Sequence, residues 1–129
     1  MVEARIRVIY GDTDQMGVVY YANYLRYFEL GRSEYLRAKG GSYRELEGQG
    51  LRLPVVEAVS RYKAPAKYED VLVVRTRIAE MRRASLKFEY SIVREGEDRV
   101  LCEGSTVHAC LGPDGRPMAL PEALRALVE

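Results

Sequence analysis

The chain has 129 residues, 47% of them hydrophobic and 30% charged, and its 20 basic side chains nearly cancel 19 acidic ones to leave a net charge of +1. That size supports a single domain, 1–129, with a real core, and the balanced charge gives no general attraction to nucleic acid or to an anionic membrane. Two cysteines and one histidine leave almost nothing from which to build a structural metal site. No apolar run reaches the roughly 20 residues of a membrane span, and the start MVEARIRVIY lacks a signal-peptide core, so the expected location is cytoplasmic.

Residues 3–10 read as a first strand, with Ile6 and Val8 alternating with Arg5 and Arg7. Two acids, Asp12 and Asp14, stand where that strand ends, and Gly17 follows as a turn residue. The period then changes: Tyr21, Tyr24, Leu25, Phe28, Gly31, Tyr35 and Leu36 recur at steps of three and four, predicting a long helix that Gly40-Gly41 stops near Lys39. Gly31 inside that helix costs about 1 kcal/mol relative to alanine, which points to a close approach of helix and sheet. Ser42-x-x-Glu45 has the form of a capping box and opens a short second helix through Leu46.

From Leu53 onward the sequence predicts strands near 54–64, 69–80, 84–94 and 99–111, with Pro65 suited to an edge or bulge and Glu95–Asp98 to a hairpin. Long strands with short links favour an antiparallel sheet, hence an α+β fold. Cys102 and Cys110 lie eight residues apart in one predicted strand, which at about 3.3 Å per residue is beyond disulfide reach, so both are expected as buried thiols. After the turn-rich Gly112–Pro117, Pro121 opens a terminal helix whose Leu124, Leu127 and Val128 are expected to dock on the body. One helix cannot cover both faces of five strands, and an open edge invites a second chain.

The first turn of a helix offers unpaired N–H groups and the positive end of the macrodipole. If Gly17 turns the chain so that the helix starts near Tyr21, the Tyr21 amide and the Asp14 carboxylate face one carbonyl, an arrangement suited to acyl transfer or hydrolysis. Asp12 is read as a hydrogen-bonding turn residue, since two ionised acids so close would repel. An isolated Asp14 would be read the same way; the extended pattern around it decides otherwise.

That pattern, YGDTDQMGVVYYANYLRYFE over residues 10–29, with Tyr62-Lys63-Ala64-Pro65-Ala66, Asp70-Val71-Leu72 and Arg82-Arg83-Ala84-Ser85, resembles the 4-hydroxybenzoyl-CoA thioesterase family, including the acyl-CoA thioesterases associated with the Tol-Pal system. The resemblance spans most of the chain and implies a hotdog fold, a long helix wrapped by a curved five-stranded antiparallel sheet. It implies homodimers that join their sheets and carry active sites at the interface, some assembling into homotetramers. The implied reaction is hydrolysis of an acyl-CoA to a carboxylic acid and free coenzyme A, with no cofactor and no metal. Carried over residue by residue, Asp14 is the nucleophile or the general base, Gly17 shapes the turn, and the Tyr21 backbone N–H polarises the acyl oxygen. Arg82 and Arg83, with Ser85, meet the phosphates of coenzyme A, a role that guanidinium forks suit, and Lys63 and Lys67 extend that field. Glu29 matches an acidic position that helps hold water.

Tyr20, Tyr24, Tyr27 and Phe28 line an acyl pocket or, as an aromatic stripe at helical spacing usually does, form core. The Tol-Pal-associated members carry histidine where Tyr21 stands, so on this point the chain is closer to the hydroxybenzoyl-CoA enzymes. His108, the sole histidine, is read as structural, which also argues against hotdog dehydratases. A strand ending in Asp-x-Asp also begins haloacid-dehalogenase phosphatases, but those need a parallel sheet with intervening helices. The remaining alternative is a non-catalytic acyl-CoA-binding module that keeps Arg82 and Arg83 without depending on Asp14. Aromatic, short aliphatic and long-chain acyl groups all stay open.

Overall fold

The computed structural model describes residues 1–41 and 43–129. Strands β1 (Val2–Arg7), β2 (Val55–Tyr62), β3 (Val71–Met81), β4 (Ser85–Arg94) and β5 (Val100–Ala109) form one antiparallel sheet in the spatial order β1-β3-β4-β5-β2, so β1 and β2 are its edges. Alternation fixes its two faces. Leu72, Val74, Thr76 and Ile78 of β3 and Leu86, Phe88, Tyr90 and Ile92 of β4 turn inward and are buried, whereas Arg75, Arg77, Lys87 and Glu89 turn outward.

Helix α1 (Asn23–Ala38) fills the inner face with Tyr24, Tyr27, Phe28, Gly31, Tyr35 and Leu36. Phe28 stacks on Tyr90 with ring centroids 4.3 Å apart, and Tyr35 meets Phe88 edge to face. Burial of side chains this large contributes about 2 kcal/mol each and holds the helix to the sheet. At Gly31 the approach is closest: a Cβ there would stand 2.5 Å from Thr76 Oγ1 and 2.8 Å from Val74 Cγ1. The helix ends as its glycines predict. Gly40, at φ +92°, sends its N–H to the Arg37 carbonyl, and the Gly41 N–H bonds the Leu36 carbonyl at 2.9 Å.

Several boundaries differ from the sequence reading. The first strand stops at Arg7 because the chain bends into a 3-10 turn at Tyr10–Asp12, although the Val8 N–H still reaches the Asp70 carbonyl. Helix α1 begins at Asn23 rather than Tyr21, since Tyr20–Asn23 is a separate turn closed by the Asn23 N–H on the Tyr20 carbonyl. Helix α2 covers Tyr43–Gly48, and the expected Ser42–Glu45 capping box lies outside the described residues. Cys110 sits one residue past β5; both thiols are buried and free. In the terminal segment, α3 (Glu122–Arg125) buries Leu124 and half-buries Leu127, but Val128 does not dock. The Glu129 N–H is drawn back to the Ile78 carbonyl and leaves the preceding side chain facing out. Among the described residues no helix is long and apolar enough to cross a membrane.

Candidate active site

Between β1 and α1 the chain makes a small hairpin that carries Asp14. Its N–H bonds the Val18 carbonyl at 2.9 Å, its carbonyl accepts the Gly17 N–H at 3.0 Å, and Thr13 bridges Val19. This three-residue loop needs a left-handed residue at its end, which Gly17 supplies with φ +80°. The Asp14 Oδ1 accepts the Met16 N–H at 2.8 Å, an Asx turn that orients the half-buried carboxylate. Oδ2 has no partner among the described residues. The hairpin is held to the sheet by the bridge from Val18 to Lys67 and by the Val19 N–H on the Ala66 carbonyl.

Asp12 locks the hairpin to the helix. Its buried carboxylate accepts from the Ile9 N–H at 3.3 Å, the Tyr27 hydroxyl at 3.0 Å and Arg26 Nη1 at 3.1 Å. Burial, with the Asp12 charge beside it, pushes the Tyr27 phenol well above its usual value, so it remains a donor. The Asp12 carbonyl receives the Tyr20 N–H at 2.8 Å and Asn23 Nδ2 at 2.9 Å. The sequence reading of Asp12 as a turn-bonding group is what the structure contains.

At the helix start the N–H groups of Tyr21 and Ala22 have no acceptor among the described residues, and Tyr21 is exposed. The Tyr62 hydroxyl, from the end of β2, donates to the Tyr21 carbonyl at 3.1 Å. The rings of Tyr20 and Tyr21 lie 4.7 Å apart, and Tyr62 touches both Tyr21 and Tyr24. The Tyr20 phenol is raised first by its bond to Tyr21, with a further push from the Asp14 charge. Of the aromatic stripe, Tyr24, Tyr27 and Phe28 are core, Tyr24 receiving the Ala66 N–H on its hydroxyl, while Tyr20 is exposed.

The other expected residues stand elsewhere. Arg82 and Arg83 are exposed on the β3–β4 turn, with Ser85 opening β4. Their carbonyls accept from Arg125, and Arg82 and Ser85 line a groove of about 270 Å³ with Glu57, Glu80 and Lys87. Asp14 sits beside the start of β3 and Arg82 follows its end, so the length of that strand, roughly 30 Å, separates them. Lys63 and Lys67 are at the Asp14 end, so one chain does not assemble the expected basic field; Lys63 also pairs with Glu103 at 3.3 Å. Glu29 is exposed and lines a groove against Ile6 and Leu30 rather than the helix start. His108 is fully buried, and burial pushes its imidazole down to about 4, as suits a structural residue. The parts that sequence reasoning missed are Asn23, Tyr62 and the Tyr27 bond to Asp12. Only Asn23 carried any signal, a polar residue near a helix start.

A five-stranded antiparallel sheet cupping one long helix is the hotdog architecture, and the relatives that share it here are thioester hydrolases. The chain belongs to the Thioesterase-like superfamily, whose profile matches residues 8–128. It is 37% identical over 122 residues to the acyl-CoA thioester hydrolase YbgC of Escherichia coli O6:H1 (strain CFT073), covering 94% of this chain and 90% of that one. Among solved structures, the TT1821 protein of Thermus thermophilus superposes with a TM-score of 0.90 at 41% identity, covering 97% of this chain and 95% of that one. BH1999 gentisyl-coenzyme A thioesterase superposes with a TM-score of 0.87 at 28% identity, covering 96% and 99%.

Proposed function

We propose that this chain hydrolyses acyl-CoA thioesters with Asp14 as its reacting carboxylate and the Tyr21 N–H as oxyanion donor. The observation that carries the reading is the hairpin that leaves Asp14 Oδ2 without a protein partner next to a helix start whose Tyr21 N–H is also unclaimed among the described residues. Two routes use the same atoms. Either Oδ2 adds to the thioester carbon, the C–S bond breaks to release coenzyme A thiolate, and water then cleaves the mixed anhydride, or Oδ2 takes a proton from water as the hydroxide adds to that carbon, after which the C–S bond breaks and the departing thiolate takes up that proton. In both, negative charge grows on the acyl oxygen, where the Tyr21 N–H and the helix dipole stabilise it.

Arg82, Arg83 and Ser85 are the proposed contacts for the phosphates of coenzyme A, and the distance along β3 makes them serve the Asp14 of a second copy. Edge strand β2 supports this arrangement, with Val55, Val56 and Tyr62 exposed along it. Its Tyr62 end touches Tyr21, and its Val55 end adjoins the turn that holds Arg82 through the Ala109 N–H on the Pro54 carbonyl and the Cys110 N–H on the Ala84 carbonyl. Two β2 strands joined antiparallel about a two-fold axis would bring the Arg82 end of each copy beside the Asp14 end of the other. Lys63 and Lys67 then join the same phosphate field.

Thiol release from a panel of aromatic, short and long acyl-CoA compounds, run beside Asp14→Asn, tests the reading. Turnover is expected to fall at least 100-fold in the variant with its fold retained. Near-normal rates in Asp14→Asn would remove Asp14 from the chemistry, and tight acyl-CoA binding without release by the unmodified protein would make the chain a binding module.

A further inference from the structure

The Tyr20–Tyr21 peptide, which carries the proposed oxyanion N–H, is held directly at its carbonyl by the Asn23 backbone and indirectly, through Asp12, by the Asn23 side chain. The backbone N–H of Asn23 bonds the Tyr20 carbonyl at 2.9 Å, while Asn23 Nδ2 bonds the Asp12 carbonyl at 2.9 Å. The same Asp12 carbonyl receives the Tyr20 N–H at 2.8 Å. These three bonds close a ring through Asp12, Tyr20 and Asn23, with the Tyr21 N–H left outside it. A carbonyl that accepts a hydrogen bond polarises its own peptide, so the Asn23 N–H also strengthens the Tyr21 N–H as a donor.

We infer that Asn23 is a positioning residue for the hydrolytic step, its side-chain amide fixing the direction of the Tyr21 N–H relative to the Asp14 hairpin. The inference rests on the thioesterase reading above. Asp12 anchors the ring through its buried carboxylate and is in turn held by Tyr27 and Arg26. Asn23 therefore acts through the Tyr21 peptide and touches neither the acyl group nor coenzyme A. Oxyanion stabilisation depends on the donor standing at the position the charge will occupy, so loosening the ring lowers the rate of the chemical step while binding, which lies with the phosphate contacts, is unaffected.

Two substitutions separate this role from a plain contribution to folding. Asn23→Ala removes the side-chain bond to the Asp12 carbonyl and keeps the helix with its backbone bond to Tyr20. Asn23→Asp keeps the shape and adds a carboxylate in the first helical turn, which the macrodipole favours, yet it sets an acceptor against the Asp12 carbonyl. The experiment measures kcat and KM for thiol release on the best acyl-CoA of the panel, together with the thermal midpoint of each protein. We expect kcat to fall about tenfold in both variants with KM within about twofold, and Asn23→Asp to keep the midpoint of the unmodified protein. Active unmodified protein with unchanged kcat in Asn23→Ala and Asn23→Asp would overturn this inference alone, as would a rate loss that follows the midpoint in both variants. Absence of thiol release from the unmodified protein would overturn the thioesterase reading and this one with it.

Discussion

Position 17 tolerates volume but not handedness. No atom lies within 4 Å of where a Gly17 Cβ would be, so steric crowding is not what a substitution meets; the φ of +80° is. Gly17→Ala is expected to cost about 1–2 kcal/mol, seen as a lower denaturation midpoint, and Gly17→Asn less, because asparagine visits this region more readily. His108 is a second residue whose setting makes a quantitative statement. Its Nδ1 lies 2.9 Å from the Leu53 carbonyl, which only accepts, so Nδ1 carries the proton and Nε2 must accept from Thr106 Oγ1 at 2.8 Å. Thr106 then accepts from the Tyr90 hydroxyl, and Tyr90 from Arg32, giving a chain with one direction that a protonated imidazole would have to reverse. With the folded value near 4 and the ordinary value 6.5, the unfolded chain binds the extra proton between them. Stability is therefore full above about pH 6.5 and falls as pH drops toward 4, by roughly 2 kcal/mol between about pH 7 and pH 5. Denaturant titrations at the two pH values, repeated on His108→Gln, check this: the pH-dependent loss should shrink in the variant, and an equal loss there would assign it to other groups.

Helix α1 shows how a sequence cost becomes a packing requirement. Gly31→Ala gains about 1 kcal/mol in helix propensity but drives a Cβ to 2.5 Å from Thr76 Oγ1 and 2.8 Å from Val74 Cγ1. Overpacking of this kind costs about 1–3 kcal/mol, so the net effect should be a loss of up to about 2 kcal/mol in denaturant unfolding, with part recovered when Val74→Ala is added. That close approach was legible from the sequence because a glycine on the apolar face of a periodic helix gives up both propensity and buried area, a loss that tight contact with the sheet offsets. The strands were legible too, wherever one buried face imposes alternation, as in β3 and β4. Their ends were not: Tyr21 continues the helical period of Tyr24 and Phe28, yet the Asp12 carbonyl draws the Tyr20 N–H away and the helix starts two residues later. Asp12 could be assigned to hydrogen bonding by like-charge repulsion alone. Asn23 could not be assigned, because its side-chain partner is eleven residues back and is set by how the hairpin closes on the helix. For Val128, helical spacing implied docking, whereas the return of Glu129 to β3 decides its orientation.

At the scale of the whole molecule, the separation of Asp14 from Arg82 along β3 turns the proposed site into a statement about symmetry. Sequence spacing carries no sign of it, since both motifs match one family pattern while standing at opposite ends of the sheet. In the proposed isologous pair, each site would take Asp14 from one copy and Arg82 with Arg83 from the other. A protein with Asp14→Asn and a second with Arg82→Ala and Arg83→Ala should each be weakly active alone. When the two are dissociated, mixed and allowed to exchange, about half of the dimers are mixed, and each mixed dimer has one site with both parts intact and one with neither. Turnover should then recover to about a quarter of that of the unmodified protein at equal total concentration, because one site in four is whole. If each site were built within one chain, mixing would only average two weak activities. A Val59→Asp change gives an independent check: it sets a charge near the midpoint of β2, where the proposed two-fold pairing would bring it close to its own copy and so be disfavoured. Sedimentation should show monomers, and turnover should fall with the dimer fraction; a monomer that hydrolyses acyl-CoA at the full rate would place the phosphate contacts elsewhere.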